Sequence, residues 1–276
     1  MKHKKLFPII MFIVFIVIAI TLWITTWKIF YLFNFIYIGS AIFIGLLLLT
    51  RQYRHARMFV QLGVGLYMLI YLGIILGENM QIEGFFYYLF LGVFQAAYIH
   101  YLVAKIAGPL IFGRGWCGYA CWTAMILDLL PYKTPQKPRI EKLRFVRYIV
   151  FIGSFFLVAA LFIFHVSNLG KIMNLMFIVG NVVYYFVGIV LAIILKDNRA
   201  FCKYICPVTV LIKPASYFSL TRIKVDKDKC VNCQRCVGVC PMNVDMLNPK
   251  RKRKNGTECI LCLECLKSCP KKAIRV

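Results

Sequence analysis

Long apolar runs alternate with short polar segments over the first 195 positions of the chain. Each run has 20 or more residues without a charged side chain. A helix needs about 20 apolar residues to cross a hydrocarbon core of about 30 Å. The pattern therefore predicts six transmembrane helices, at Leu6–Trp27, Ile29–Thr50, Met58–Gly77, Gly84–Ala104, Tyr148–Gly170 and Ile172–Leu195.

Basic residues fall almost entirely on one side of these predicted helices. Of the 34 lysines and arginines, all but Lys28 and Lys171 lie in segments 1–5, 51–57, 105–147 and 196–276. Such an excess marks the cytoplasmic side. We therefore expect a multi-pass protein of the cell membrane, with both termini and all cysteine motifs on the cytoplasmic side. A composition that is 61% hydrophobic and 16% charged excludes an ordinary soluble enzyme.

The apolar segment Leu110–Leu130 is not counted as a seventh span. As a span it would bury Arg114 and Asp128, at about 2.5–3.5 kcal/mol each near the bilayer centre. We expect an interfacial or partly re-entrant helix there.

Two cysteine motifs occupy the polar C-terminal segment, between predicted short strands at Arg222–Val225 and Ala273–Val276. Both have the spacing Cys-x2-Cys-x2-Cys-x3-Cys-Pro, in which three cysteines bind one iron–sulfur cluster and the fourth binds its neighbour. Zinc is the alternative, but it favours two separated Cys-x2-Cys pairs. We predict one [4Fe–4S] cluster on Cys230, Cys233, Cys236 and Cys269, and a second on Cys259, Cys262, Cys265 and Cys240.

The other four cysteines lie in a duplicated motif. Residues 114–121 and 199–206 both read Arg-x-aromatic-Cys-x-Tyr-x-Cys, 85 positions apart. We interpret them as a parallel internal repeat: two spans, a cytoplasmic motif and a short helix. A third metal site, of iron–sulfur type, is predicted on Cys117, Cys121, Cys202 and Cys206. A reactive dithiol pair and buried structural cysteines stay open as alternatives.

Residues 58–276 contain both the duplicated motif and the two C-terminal cysteine motifs. On these motifs they resemble a family of membrane-bound ferredoxin-like proteins. It includes the periplasmic nitrate reductase quinol dehydrogenase type, nitrous oxide reductase regulators and copper-reducing oxidase assembly factors. Pro207 matches the family motif Cys-x3-Cys-Pro, whereas Trp122 replaces the proline in the first copy. The resemblance implies electron transfer between the quinone pool and a redox partner.

The expected fold is an all-α membrane domain with a C-terminal α+β ferredoxin domain. Its predicted parts are a hairpin (1–57), a repeat core (58–217) and the two-cluster domain (218–276). The expected function is transfer of electrons between the quinone pool or a cytosolic carrier and a redox partner. Whether the chain is a quinol dehydrogenase subunit stays open, as do roles as a copper-reducing assembly factor or a membrane redox sensor.

The basic run Lys250–Lys254 is also a candidate binding segment. Anionic lipid or an acidic redox protein fits it better than nucleic acid, because the predicted domain is tethered at a membrane.

Overall fold

The computed structural model describes residues 2–51, 53, 55–94, 97–248 and 257–276. The predicted partner run Lys250–Lys254 lies outside the described residues. In chain order the elements are α1 (Lys2–Thr26), α2 (Ile29–Thr50), α3 (Ala56–Ile75), α4 (Ile82–Leu91), α5 (Ala97–Phe112), α6 (Gly115–Tyr119), α7 (Trp122–Leu127), α8 (Glu141–Ile163), α9 (Leu169–Leu195), α10 (Ala200–Tyr204), α11 (Val208–Tyr217), β1 (Lys224–Val225), α12 (Arg235–Gly238), α13 (Glu264–Ser268) and β2 (Ile274–Arg275).

Five of the described helices are long and apolar enough to cross a membrane: α1, α2, α3, α8 and α9. The fourth predicted span, Gly84–Ala104, is instead divided between α4 and α5. Helix α4 ends at Leu91, and Gly92 follows with a left-handed backbone (φ 67°). A glycine in this conformation is a common helix terminator. The prediction of six continuous spanning helices is therefore not confirmed in the described part of the chain.

The segment Leu110–Leu130 does not form one continuous helix either. It contains the end of α5 followed by the short helices α6 and α7. At the junction, Gly113 has a φ of 54°, which favours glycine. The chain thus turns at the first cysteine motif.

Each cysteine motif is followed by a short helix that packs between longer ones. Helix α7 packs against α3 and α9, whereas α11 packs against α5 and α8. Trp122 of α7 is buried and donates from Nε1 to Oδ1 of Asn181 in α9, at 2.8 Å. These contacts fix both motifs at one end of the helical domain.

The C-terminal domain is closed by its two strands, which pair antiparallel with Lys224 opposite Arg275 and Val225 opposite Ile274. Both strands lie inside their predicted ranges but have only two residues each. The core beneath them is made of apolar side chains and cysteines, including Ile223, Met242, Val244, Ile260, Cys236, Cys240, Cys262 and Cys265.

Candidate iron–sulfur sites

A small cavity of about 20 Å³ lies in the C-terminal domain. The structure brings four cysteines together around it, three from the first motif and the last one from the second: Cys230, Cys233, Cys236 and Cys269. Cys233 is exposed. This donor set fits a [4Fe–4S] cluster, which is held by four thiolates.

The remaining four cysteines of this domain lie deeper. Cys240, Cys262 and Cys265 are buried, and Cys259 is half-buried. Burial, together with the neighbouring Cys259 and Cys262, raises the pKa of Cys265 to about 12. A bound iron–sulfur cluster would hold these sulfurs as thiolates, because metal coordination deprotonates a thiol outright.

The Cys-Pro cysteine of each ferredoxin motif accepts a backbone hydrogen bond on its sulfur. The amide of Val244 donates to Sγ of Cys240, and the amide of Ala273 donates to Sγ of Cys269, both at 3.3 Å. In both cases the donor lies four residues after the cysteine. Hydrogen bonds to cluster sulfurs are one determinant of the reduction potential.

The cysteines of the duplicated motif also come close to one another, on helices α6 and α10 and the turns that follow them. The pKa of Cys202 is raised to about 12, mainly by burial and also by Cys121, Cys206 and Cys117, although Arg199 opposes the rise. Among the residues that the structure describes, no three His, Cys, Asp or Glu side chains form a group that could hold a single metal ion.

The two motif arginines hold the motifs against each other. Nη1 of Arg199 donates to the carbonyl of Cys117 at 3.0 Å, and Nη2 of Arg114 donates to the carbonyl of Cys202 at 3.4 Å. Each arginine therefore contacts the first cysteine of the opposite motif. These hydrogen bonds thus hold together residues 114–121 and 199–206, which lie 85 positions apart in the sequence.

Both arginines are also paired with carboxylates. Arg199 makes a two-point contact with Asp128, from Nε to Oδ1 at 2.7 Å and from Nη2 to Oδ2 at 2.5 Å. Arg57 reaches the same carboxylate at 2.8 Å. Arg199 and Arg57 therefore share the carboxylate of Asp128.

Glu258 is the second carboxylate, and it connects the two domains. This buried residue directly precedes Cys259 and pairs with Arg114, with Arg139 at 3.2 Å, with Arg147 at 3.3 Å and with Lys213 at 2.8 Å. Burial alone would raise the pKa of Glu258, but these cations lower it to about 2. Sequence reasoning missed Glu258, because its partners lie far away along the chain.

Backbone contacts seat the second ferredoxin motif on the first membrane motif. A Cβ added to Gly118 would lie 2.3 Å from the carbonyl oxygen of Ile260, so only glycine permits this approach. The hydroxyl of Tyr119 donates to the carbonyl of Leu261 at 3.0 Å. Cys117 packs against the same cysteine-rich core. We call Cys230, Cys233, Cys236 and Cys269 the surface set, Cys240, Cys259, Cys262 and Cys265 the buried set, and Cys117, Cys121, Cys202 and Cys206 the membrane-side set. Cys117 of the membrane-side set thus packs against a core that contains cysteines of the other two sets.

Family models match the chain in both regions. A "4Fe-4S dicluster domain" model matches residues 222–273. A "4Fe-4S binding domain" model matches twice, at residues 101–141 and 179–226, each time over one copy of the duplicated motif.

Curated relatives extend the similarity into the membrane domain. The Methanocaldococcus jannaschii protein MJ0749 is 27% identical over 73% of this chain and 79% of its own length. MJ0750 from the same organism is 30% identical over 63% of this chain and 76% of its own length. The ferredoxin-type protein NapH of Haemophilus influenzae is 30% identical over 30% of this chain and 31% of its own length. No solved structure matches the chain.

Proposed function

The chain belongs to a family of membrane polyferredoxin-like electron-transfer proteins, and we propose that it conducts electrons between the membrane and a soluble redox partner. On the membrane side it exchanges electrons with the quinone pool, and at the exposed end of the C-terminal domain it exchanges them with a carrier or partner subunit. The observation that carries the proposal is the seating of Ile260 and Leu261 on the motif of Cys117.

The proposed route uses three cysteine sets in sequence. A first [4Fe–4S] cluster is held by the surface set and a second by the buried set, both as defined above. A third iron–sulfur site is held by Cys117, Cys121, Cys202 and Cys206. When bound, such clusters accept and release single electrons, and their surroundings set their potentials. Glu258, Gly118 and Tyr119 make contacts between the two domains and so keep these sets close.

The proposed topology has six crossings: the α1–α2 hairpin makes two, and each of two parallel repeats makes two more. Helices α4 and α5 together make one interrupted crossing, and both cysteine motifs emerge on the cytoplasmic side. The double match of one family model supports the repeat, as does the reciprocal contact of each motif arginine with the other motif's cysteine. The one-sided distribution of Lys and Arg supports the orientation.

Iron and sulfide analysis after anaerobic purification tests the proposal. With four irons per cluster, about 8 Fe per chain indicates the two C-terminal clusters alone, and about 12 Fe indicates a third [4Fe–4S] site. Cys202→Ser should remove only the extra iron, and Cys236→Ser should alter the paramagnetic resonance signal of the surface cluster. A chain that carries zinc and no iron would overturn the proposed function. Iron that persists unchanged in Cys202→Ser would overturn the membrane-side ligand assignment.

A further inference from the structure

A second and larger cavity, of about 370 Å³, lies inside the helical domain. It is lined by residues of the α1–α2 hairpin and of α3, α5 and α6. Binding pockets for small organic molecules typically have volumes of about 300–1,000 Å³ and mostly apolar walls with a few polar groups. The walls here follow that pattern. Their apolar part includes Phe15, Phe35, Ile38, Met68, Leu72 and Val103.

Two buried polar atoms at one end of this cavity have no protein partner. They are Nε2 of His100 and Nε1 of Trp116, and neither finds a hydrogen-bond partner among the described residues. The side chains line the cavity, and the residues are only 8% and 5% exposed. Their rings are in edge-to-face contact, with centroids 5.3 Å apart. A buried donor without a partner costs about 1–3 kcal/mol, so such atoms normally have a partner outside the protein, such as ordered water or a bound ligand.

The same end of the cavity adjoins the proposed electron route. Trp116 directly precedes Cys117 in α6. A ligand that hydrogen-bonds to the indole would therefore lie beside the first ligand of the membrane-side site. The other end of the cavity is lined by Lys28 and Glu78, at the opposite ends of α2 and α3 from the cysteine motifs.

From this juxtaposition we infer that the cavity is the binding site for the head group of a membrane quinone, an inference that rests on the proposed function. A quinone head group is flat and apolar, with two oxygens on opposite edges. The indole N–H of Trp116 donates to one oxygen. Nε2 of His100 bonds to the same edge, as donor to quinone or as acceptor from quinol.

The redox step balances with groups already named. One quinol becomes one quinone by losing two O–H protons and two electrons. The two electrons would leave singly towards Cys117, and two oxidised iron–sulfur clusters, when bound by the cysteine sets, would each accept one electron. The two protons leave to water at the cavity end lined by Glu78, whose Oε2 accepts a hydrogen bond from Tyr88 at 2.6 Å. Run backwards, the same step reduces quinone.

Photolabelling with an azido-benzoquinone locates the site without measuring turnover. In the purified full-length protein, we expect label on peptides of α2 and α5, and decylubiquinone should compete it away. Equilibrium binding of decylubiquinone should weaken about tenfold in His100→Phe and in Trp116→Phe, since each loses one hydrogen bond from a buried group. The matched controls, His55→Phe and Trp23→Phe, alter exposed residues outside the cavity and should bind as the unmodified chain does.

Each outcome is decisive. Label on other helices, or equal binding by His100→Phe, Trp116→Phe and their controls, overturns the cavity assignment. Recovery of only a co-purified phospholipid from the cavity, with no quinone competition, also overturns it. In those cases, iron content and reduction of the clusters by dithionite show whether the proposed electron-transfer function survives. If His100→Phe fails to fold, Trp116→Phe tests the inference alone, because phenylalanine keeps the ring contact.

Discussion

The guanidinium of Arg199 binds the carboxylate of Asp128 through two parallel hydrogen bonds, although 71 residues separate them. Arg199 is 1% exposed in its side chain. The pair joins the second cysteine motif to the helix that follows the first, so it holds the two copies of the repeat in register. A buried charge pair of this kind is costly to break from one side.

Asp128→Asn should therefore destabilise the helical domain. It leaves Arg199 buried without its counter-charge, and removing one partner of a buried pair costs about 3–5 kcal/mol. Denaturant unfolding in mixed micelles measures the loss. The control is Glu141→Gln, which breaks an exposed pair with Arg144 worth about 0–1 kcal/mol. Equal midpoints for the two variants would mean that the Asp128 pair is not structural.

Glu258→Gln should loosen the C-terminal domain from the membrane domain. The change removes the charge that pairs with Arg114, Arg147 and Lys213, and those cations then repel one another. We expect limited proteolysis near residues 218–222 to become at least about tenfold faster, which corresponds to 1.4 kcal/mol or more of lost docking energy. Glu264→Gln, which breaks only an exposed pair with Lys267, should leave the rate unchanged. Unchanged cleavage of Glu258→Gln itself would contradict the anchoring role.

Gly118→Ala should widen the gap between the buried cysteine set and the motif of Cys117. The new methyl group collides with the backbone of Ile260, and overpacking of this kind costs about 1–3 kcal/mol. Freeze-quench paramagnetic resonance should show slower reoxidation of the C-terminal clusters by the membrane-side acceptor. In Gly153→Ala the added Cβ meets nothing within 4 Å, so that control should behave normally. Normal transfer in Gly118→Ala would place the electron route elsewhere.

Reversing charge beside the surface cysteine set should slow exchange with an acidic electron carrier. Arg235 and Lys271 line that cavity, and opposite charges raise association rates in a salt-dependent way. For the double variant Arg235→Glu/Lys271→Glu we expect about tenfold slower exchange with an acidic soluble ferredoxin and a flatter dependence on ionic strength. Lys171→Glu, in the first turn of α9, is the control. An unaltered salt dependence would mean that the carrier docks elsewhere.

The cysteine motifs could be predicted from the sequence, because the candidate ligands of each motif lie only a few residues apart. The comparisons confirm the family assignment, and both edge strands lie where the C-terminal pattern predicts them. The interruption at Gly92 escaped the hydropathy pattern, because counting apolar residues does not report the sign of φ at one glycine.

Ion pairs between residues far apart in the chain also could not be predicted from the sequence. The cost of charge in lipid predicts that Arg114 and Asp128 do not lie at the centre of a membrane span, but it does not name their partners. In the structure both are largely buried within the protein, where Glu258 pairs with Arg114 and Arg199 pairs with Asp128. Likewise, nothing in the apolar run of Gly84–Ala104 distinguishes His100 as a cavity residue. That role depends on a hairpin more than 60 positions earlier.

Because four cations pair with Glu258, the docking of the C-terminal domain depends on the packing of the helical domain. The four cations lie in or beside α5, α8 and α11, so they surround the position of Glu258 only when these helices are packed together. The matching carboxylate sits beside a cysteine of the buried set and reaches the correct position only when that loop is properly shaped. A misplaced loop would therefore leave buried cations such as Arg114 and Arg147 without their shared counter-charge, which is costly.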